Sequence, residues 1–356
     1  MVNVIARYTE DCAPAVREFN ARLAADGAAE FQLPETPSER CDGRRLAEEC
    51  FLALEGCAVR GGYILNHQDF SLRGKTIRAA HYRLGVSEGV VNRAYAGVGL
   101  QMLRAALNRE PMLFALGMGG EERPLPRMLK AMGWRLESVP FYFKMVRPAR
   151  VLGELRMLQS TPARRAAAAA ARFTGAGWLA VHAAQTWKGR AAPAAAAEPV
   201  PAFEQWADAL WERANAGYAL VAARDAASLN ALYPPGEARY IRLRVPQGWA
   251  LVLDTRMRGH KQFGDLRVGT IADCLALPQD AEAVTAAAAG WLSARGVDLI
   301  VSNQSHAAWG RALERSGFLR GPSNYVFAAS RKLAEALGGF EEMHINRGDG
   351  DGPIHL

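Results

Sequence analysis

The sequence predicts an α+β (mixed α/β) fold in two tandem domains, each a mixed, mostly antiparallel sheet flanked by helices. Three observations predict it. The chain has 356 residues, enough for two domains that each bury a core. Its hydrophobic pattern runs strand, helix, several strands, a glycine loop, helix, strand, helix, strand, and the second half repeats that order in outline. An Ala/Pro-rich stretch at 189–202 stands between the halves, where Pro193, Pro199 and Pro201 break any continuous helix. The expected division is a domain at 1–150, a helical and Ala/Pro-rich connector at 151–202, a domain at 203–340 and a tail at 341–356.

Composition narrows the function classes. The formal charge is +7, but the arginines are scattered and form no basic stripe, so specific DNA binding is not expected. A mild positive field suits a phosphorylated cofactor or an anionic sugar. No apolar run reaches the length of about 18 residues that a transmembrane helix needs. The first residues lack the basic, apolar and small-residue regions of a secretory leader, and Cys12, Cys41, Cys50, Cys57 and Cys274 form no framework. A reducing, cytoplasmic location is the expectation. The seven histidines are dispersed without a ligand motif, so no metal is expected.

Along the first half, residues 2–8 alternate as a strand, and 12–25 read as a helix with Phe19 and Leu23 on one face. Strands follow near 46–55, 58–66 and 77–86. On the last of these, His81 and Tyr82 should face opposite sides, one buried and one exposed. Next comes SEGVVNRAYAGVGLQMLRAAL (87–107), where Gly97 and Gly99 open a helix carrying Leu100, Met102, Leu103 and Leu107. Glycines there allow close approach of a ligand, and the unpaired N–H groups of a first helical turn suit an anion. A strand at 112–116, a short helix through Lys130 closed by Gly133-Trp134, and a final strand PFYFKMV (140–146) complete the unit.

This order and these residues resemble the GNAT superfamily of acyl-CoA-dependent N-acyltransferases, in outline over both halves. Ala94-Tyr95-Ala96-Gly97-Val98-Gly99 matches the family's pyrophosphate loop at both glycines, with Ala94 where the family has Arg or Gln and Arg93 beside it. The segment at Gly133-Trp134 is similar to the helix that the family ends in Gly-Phe. That helix often carries a Tyr general acid, and Leu129 stands at its position. The first half further resembles GNAT-type proteins found with bacterial polysaccharide genes, PFYFKMVRPARVL being the most specific stretch.

The resemblance implies a sheet that splays between its fourth and fifth strands, with the thioester facing residues near 84–88 and 113–120. It implies cofactor contacts from Val86, Arg93, Tyr95, Ala96, Gly97, Val98 and Gly99, the amide near Val86 serving as oxyanion donor. The catalytic candidates are Glu88, His81 and Tyr142.

In the second half, helices are expected from Phe203, from Asp225 as a cap through Leu232, over 281–294 and over 306–315. Strands are expected at 218–222, 240–245, 249–256, 266–273, 297–301 and 323–329. Pro278, Asp280 and Glu282 replace the glycine loop there, and acidic groups repel a pyrophosphate at a helix start. Asp254, Arg256, Asn303 and His306 are the acceptor-binding candidates. The tail HINRGDGDGPIHL lacks calcium-loop spacing and reads as surface-draped.

Together these readings imply a tandem-GNAT N-acyltransferase, an acetyltransferase by preference, using acetyl-CoA or another acyl-CoA. Its acceptor would be an amine, such as an amino sugar or polysaccharide precursor. The alternatives are a FemAB-like aminoacyl transferase, and a non-catalytic acyl-CoA-binding or scaffold protein on the same fold.

Overall fold

The computed structural model describes residues 4–37, 41–42, 46–154, 183 and 196–350. Most of the helical and Ala/Pro-rich connector expected at 151–202, and residues 351–356, lie outside the described residues. The chain forms two compact units. The first comprises 1–70, 75–137 and 326–339, and the second 71–74, 138–325 and 340–356.

The first half of the chain runs β1 (Val4–Arg7), α1 (Ala13–Ala25), β2 (Cys41–Asp42), β3 (Leu46–Glu55), β4 (Ala58–Leu72), β5 (Lys75–Ser87), α2 (Val98–Arg109), β6 (Leu113–Gly117), α3 (Pro124–Ala131) and β7 (Arg135–Ser138). It continues through β8 (Phe141–Met145), α4 (Pro148–Glu154), β9 (Glu198–Val200), α5 (Gln205–Ala214), β10 (Leu220–Ala222), α6 (Ala226–Leu232), β11 (Ile241–Val245), β12 (Gly248–Arg256) and β13 (Arg267–Ala276). The remainder is α7 (Ala281–Ala294), β14 (Leu299–Asn303), α8 (Ala307–Arg315), β15 (Leu319–Gly321), β16 (Val326–Ala329), α9 (Arg331–Leu337) and β17 (Met343–His344).

In the first unit the main strand order is β1-β3-β4-β5-β6-β16-β7. Strand alternation builds a core on each face. Cys50, Leu52 and Ile64 meet Val16, Phe19 and Leu23 of α1, while Phe51, Ala53, Tyr63 and Leu65 share a cluster with Val98, Met102, Leu103 and Ala106 of α2. With both faces covered, alternation no longer divides buried from exposed. His81 and Tyr82 are therefore both buried, 3% and 2% exposed, which corrects the expectation that one would face solvent.

In the second unit the order is β15-β8-β14-β13-β12-β11-β9. Here Trp249, Trp309 and Phe318 lead the core, with α5, α6, α7 and α8 contributing Leu210, Leu229, Val284 and Leu313. Asp225 caps α6 as its sequence position predicts, its carboxylate accepting from the Ser228 amide at 3.0 Å.

The two sheets exchange strands. β8, expected to end the first sheet, lies between β14 and β15 in the second. β16, from the end of the chain, pairs antiparallel with β6 in the first. The reason is continuity of pairing: Phe114–Gly117 are bonded to Val326–Ala329 along the whole of β16, so no edge is left for β8 there.

Candidate active site

The first sheet opens between β5 and β6. These parallel strands pair only at Ala80↔Leu113 and His81↔Phe114. Beyond that point the Leu116 amide donates to Nε2 of His81 at 3.2 Å, so a side chain replaces the next strand partner. The imidazole lies flat on Phe114, ring centroids 5.0 Å apart. β6 stays in register with β16 through Gly117, so β5 is the strand that departs.

Backbone geometry shows how β5 departs. Leu84 has φ of 48°, the left-handed region, which costs about 1–2 kcal/mol for a residue with a side chain. In a regular strand residues four apart share a face. Tyr82 instead joins the α2-side cluster and Val86 the α1-side cluster, so the strand turns over at Leu84. Gly85 is required there: a Cβ would lie 2.6 Å from the Tyr82 ring. Burial pushes the Tyr82 hydroxyl far above its ordinary pKa, so the ring is a neutral wedge.

Beside the opening stands the first turn of α2. Gly97 is its N-cap with φ of −79°, no side chain caps the turn, and no acidic residue lies in it. The first helical bond runs from the Gln101 amide to the Gly97 carbonyl. The amides of Val98, Gly99 and Leu100 therefore have no carbonyl within the helix to donate to. A Cβ at Gly97 would meet nothing within 4 Å among the described residues, and one at Gly99 would be 3.7 Å from the Ser87 hydroxyl. Arg93, Ala94 and Tyr95 form the preceding tight turn, Ala96 following it, and Asn92 caps that turn by accepting from the Ala94 amide at 3.0 Å.

One wall of this region is an ion-pair network. Arg60 donates to both oxygens of Glu88 at 3.1 and 3.0 Å, and Arg22 donates to one of them at 3.2 Å. Arg60 also binds Glu55 at 3.0 Å and lies over the Tyr95 ring, whose hydroxyl donates to Glu55 at 3.0 Å. Burial alone would lower the Arg60 pKa; hydrogen bonding and charge from Glu88, then Glu55, raise it instead. Glu88 is thus a bound counter-ion, with both oxygens engaged.

The corresponding place in the second sheet is filled by the chain itself. β13 and β14 pair in parallel through Ile271↔Ser302. Past that point Asp273 accepts from Tyr233 at 2.6 Å and from Asn346 at 2.8 Å, and forms an ion pair with Arg224 at 2.9 Å. Asp349 binds the same guanidinium and accepts from the Asn346 amide. His344 donates to the Cys274 carbonyl at 2.8 Å and is stacked between Tyr218 and Trp309. The segment through Asp349, expected as a surface tail, is buried because these charges pair only inside. At the start of α7, Asp280 is the N-cap and Glu282 lies in the first turn.

The structure groups the remaining candidates differently from the sequence reading. Tyr142 lies in the second sheet against Gly310 of α8, and burial raises its hydroxyl pKa. Asp254 and Arg256 sit where β12 ends, opposite Gly269 and Arg267. Asn303 and His306 lie past the far end of the β13–β14 ladder, so the four do not converge. Asn303 is buried, and His306 caps α8, Nδ1 accepting from the Ala308 amide at 3.2 Å. Arg22, Arg60 and Asn92 were missed. Asn92 had a local signal, a turn-forming side chain before the glycine loop. The arginines had none, being 66 and 28 residues from Glu88.

Among the described residues no group of three His, Cys, Asp or Glu could hold a metal ion, and no helix is long and apolar enough to cross a membrane. No family model matches the sequence, and no curated protein matches it. Solved structures do match. A conserved protein of unknown function from Enterococcus faecalis V583, described as a probable N-acyltransferase, is 8% identical over 93% of this chain and 73% of its own, with a TM-score of 0.50. Saccharomyces cerevisiae N-myristoyltransferase, solved with bound myristoyl-CoA and inhibitors, is 10% identical over 93% of this chain and 80% of its own, also at 0.50. At these identities the likeness shows the fold, which this chain shares with both structures.

Proposed function

We propose that the protein is an acyl-CoA-dependent N-acyltransferase whose cofactor lies in the opening between β5 and β6 of the first unit. One observation carries this reading: the opening adjoins a helix start that is uncapped, free of acidic side chains and, among the described residues, unobstructed at Gly97. Residues Arg93, Tyr95, Ala96, Gly97, Val98 and Gly99 would surround the pyrophosphate, with the first-turn amides as donors. The Val86 amide, in the departing half of β5, would polarise the thioester carbonyl.

The acceptor amine then attacks that carbonyl. The new C–N bond forms as the C–S bond breaks, and the thiolate leaves with a proton. Glu88 supports this site as an anchor, holding Arg22 and Arg60 against its wall, and water carries the amine's proton away. His81 and Tyr82 keep the strands apart. The acceptor class we favour is an amino sugar or polysaccharide precursor, and acetyl-CoA the smallest donor to try.

The engagement of Glu88 by two arginines, and Leu129 buried at the position of the family's tyrosine acid, favour one alternative. This is an acyl-CoA-binding protein without turnover. Calorimetry on the full chain with acetyl-CoA and longer acyl-CoAs, followed by assay on a panel of amines, tests both. Binding with turnover supports the enzyme, binding alone supports the second reading, and no binding overturns both.

A further inference from the structure

The second unit holds a cavity of about 340 Å³ at the end of its sheet away from the filled opening. Asp298 and Arg267, beside the first β13–β14 pair, line it, whereas Asp273 lies past the last pair of that ladder. Six arginines converge on the cavity from separate elements. Arg147 and Arg150 come from the start of α4, Arg256 and Arg258 from the end of β12, Arg267 from β13 and Arg295 from the C-terminus of α7.

Three carboxylates stand against these six arginines and do not saturate them: Asp298 and the exposed Asp265 in the lining, the latter accepting from the Gly259 amide at 2.7 Å, and Asp254 beside it. Asp254 is taken by Arg267, through two bonds of 2.6 Å, and by Arg295 at 3.0 Å. Burial would raise the Asp254 carboxyl, but these hydrogen bonds outweigh it and hold its pKa down. Asp298 is wholly buried and stands 3.5 Å from both Arg147 and Arg150, beyond the 2.7–2.9 Å or so of a charge-assisted hydrogen bond. Those two guanidinium groups remain half exposed. Arg256 and Arg258 are exposed and have no ion pair or hydrogen bond among the described residues.

A folded surface that gathers like charges works against its own repulsion unless a counter-ion is bound. Guanidinium forks match the paired oxygens of a phosphate. Among the described residues the lining holds no aromatic ring on which a base could stack, and Met257 is the one long apolar side chain. We propose that this cavity binds a compact ligand through a phosphomonoester or diphosphate group. The inference does not rest on the acyltransferase reading.

Calorimetry of the full chain with inorganic pyrophosphate tests it, using Arg256→Ser/Arg258→Ser and, separately, Gly97→Glu. The first variant removes two exposed side chains that are unpaired among the described residues, so its melting temperature should match the wild type. It should weaken binding at least about tenfold, the equivalent of one or two charge-assisted hydrogen bonds. Gly97→Glu, which blocks the α2 start, should leave that binding intact. No binding by the wild type at millimolar pyrophosphate overturns the proposal, as does affinity unchanged in the arginine variant. Loss only in Gly97→Glu assigns the pyrophosphate to the first unit and also overturns it. Vesicles of phosphatidylcholine with phosphatidic acid separate the sources. Capture of the wild type but not the arginine variant supports a lipid headgroup, and pyrophosphate binding without capture supports a free phosphorylated molecule.

Discussion

The Leu116 amide donates to Nε2 of His81 across 3.2 Å, so an imidazole stands where a strand carbonyl would otherwise close the gap between β5 and β6. The pairing satisfies a buried backbone donor while keeping the strands apart, which a regular ladder cannot do. His81→Leu should leave that donor unpaired and destabilise the protein by about 1–3 kcal/mol in urea denaturation. A variant as stable as the wild type would show that the ring does not carry this bond.

Gly97→Glu and Gly99→Glu should each abolish acyl-CoA binding in calorimetry, by placing charge and bulk at the open helix start. Neither added Cβ meets an atom of the described residues closer than 3.7 Å, so melting temperatures should stay near the wild-type value. Gln279→Glu, at the exposed matching place before α7, should leave binding unchanged. Retained affinity in both glycine variants would move the cofactor elsewhere.

Glu88→Gln should act on stability before it acts on chemistry. It leaves Arg60 and Arg22 without their shared carboxylate, a loss of about 3–5 kcal/mol for a buried pair, less here because Arg22 is partly exposed. A double-mutant cycle with Arg22→Gln should show coupling of about 0.5–3 kcal/mol. Turnover lost in Glu88→Gln at undiminished stability would instead identify Glu88 as the base.

Acid should remove the part of the second unit's stability that depends on a neutral His344. Burial lowers the His344 pKa to about 4 from 6.5, against the hydrogen bond to Cys274 that raises it. The unfolded chain therefore binds the extra proton between those values, and stability falls as pH drops from about 6.5 to 4, by about 3 kcal/mol at most. Asp349, raised to about 6 by burial, works the other way over the same range. Because the two contributions oppose each other in the wild type, the difference between proteins carries the test: urea midpoints at pH 7, 5.5 and 4.5 should fall more, or rise less, towards acid in the wild type than in His344→Phe. Parallel profiles would discard His344 as the titrating group.

Tyr142→Phe should leave turnover intact, because the ring is packing material of the second sheet. Gly310→Ala should be strongly destabilising, since its Cβ would collide with the Tyr142 hydroxyl. Combining the two should recover part of the loss in thermal melts. A drop in turnover for Tyr142→Phe alone would restore its catalytic candidacy.

Local chemistry was legible in the sequence. Leu100, Met102, Leu103 and Leu107 place α2, although its buried face is Val98, Met102, Leu103 and Ala106, and Asp225 announces the cap of α6. What was not legible depends on distant partners. Pairing of Val326–Ala329 with Phe114–Gly117 spans some two hundred residues, and nothing in either segment names the other. PFYFKMV reads equally well as the last strand of one sheet or an inner strand of the next. The inversion at Leu84 was hidden for another reason: a left-handed leucine has no composition signal.

The exchange of β8 and β16 sets a timetable for synthesis. A ribosome makes everything up to Glu137 long before it makes Val326, so the nascent first unit must wait with a vacancy in the middle of its sheet. Until the last strand arrives, β6 offers open amides and carbonyls to any passing peptide. Premature termination anywhere before Ala329 would leave both halves unfinished. A gene cut in two could not yield a pair of self-sufficient proteins.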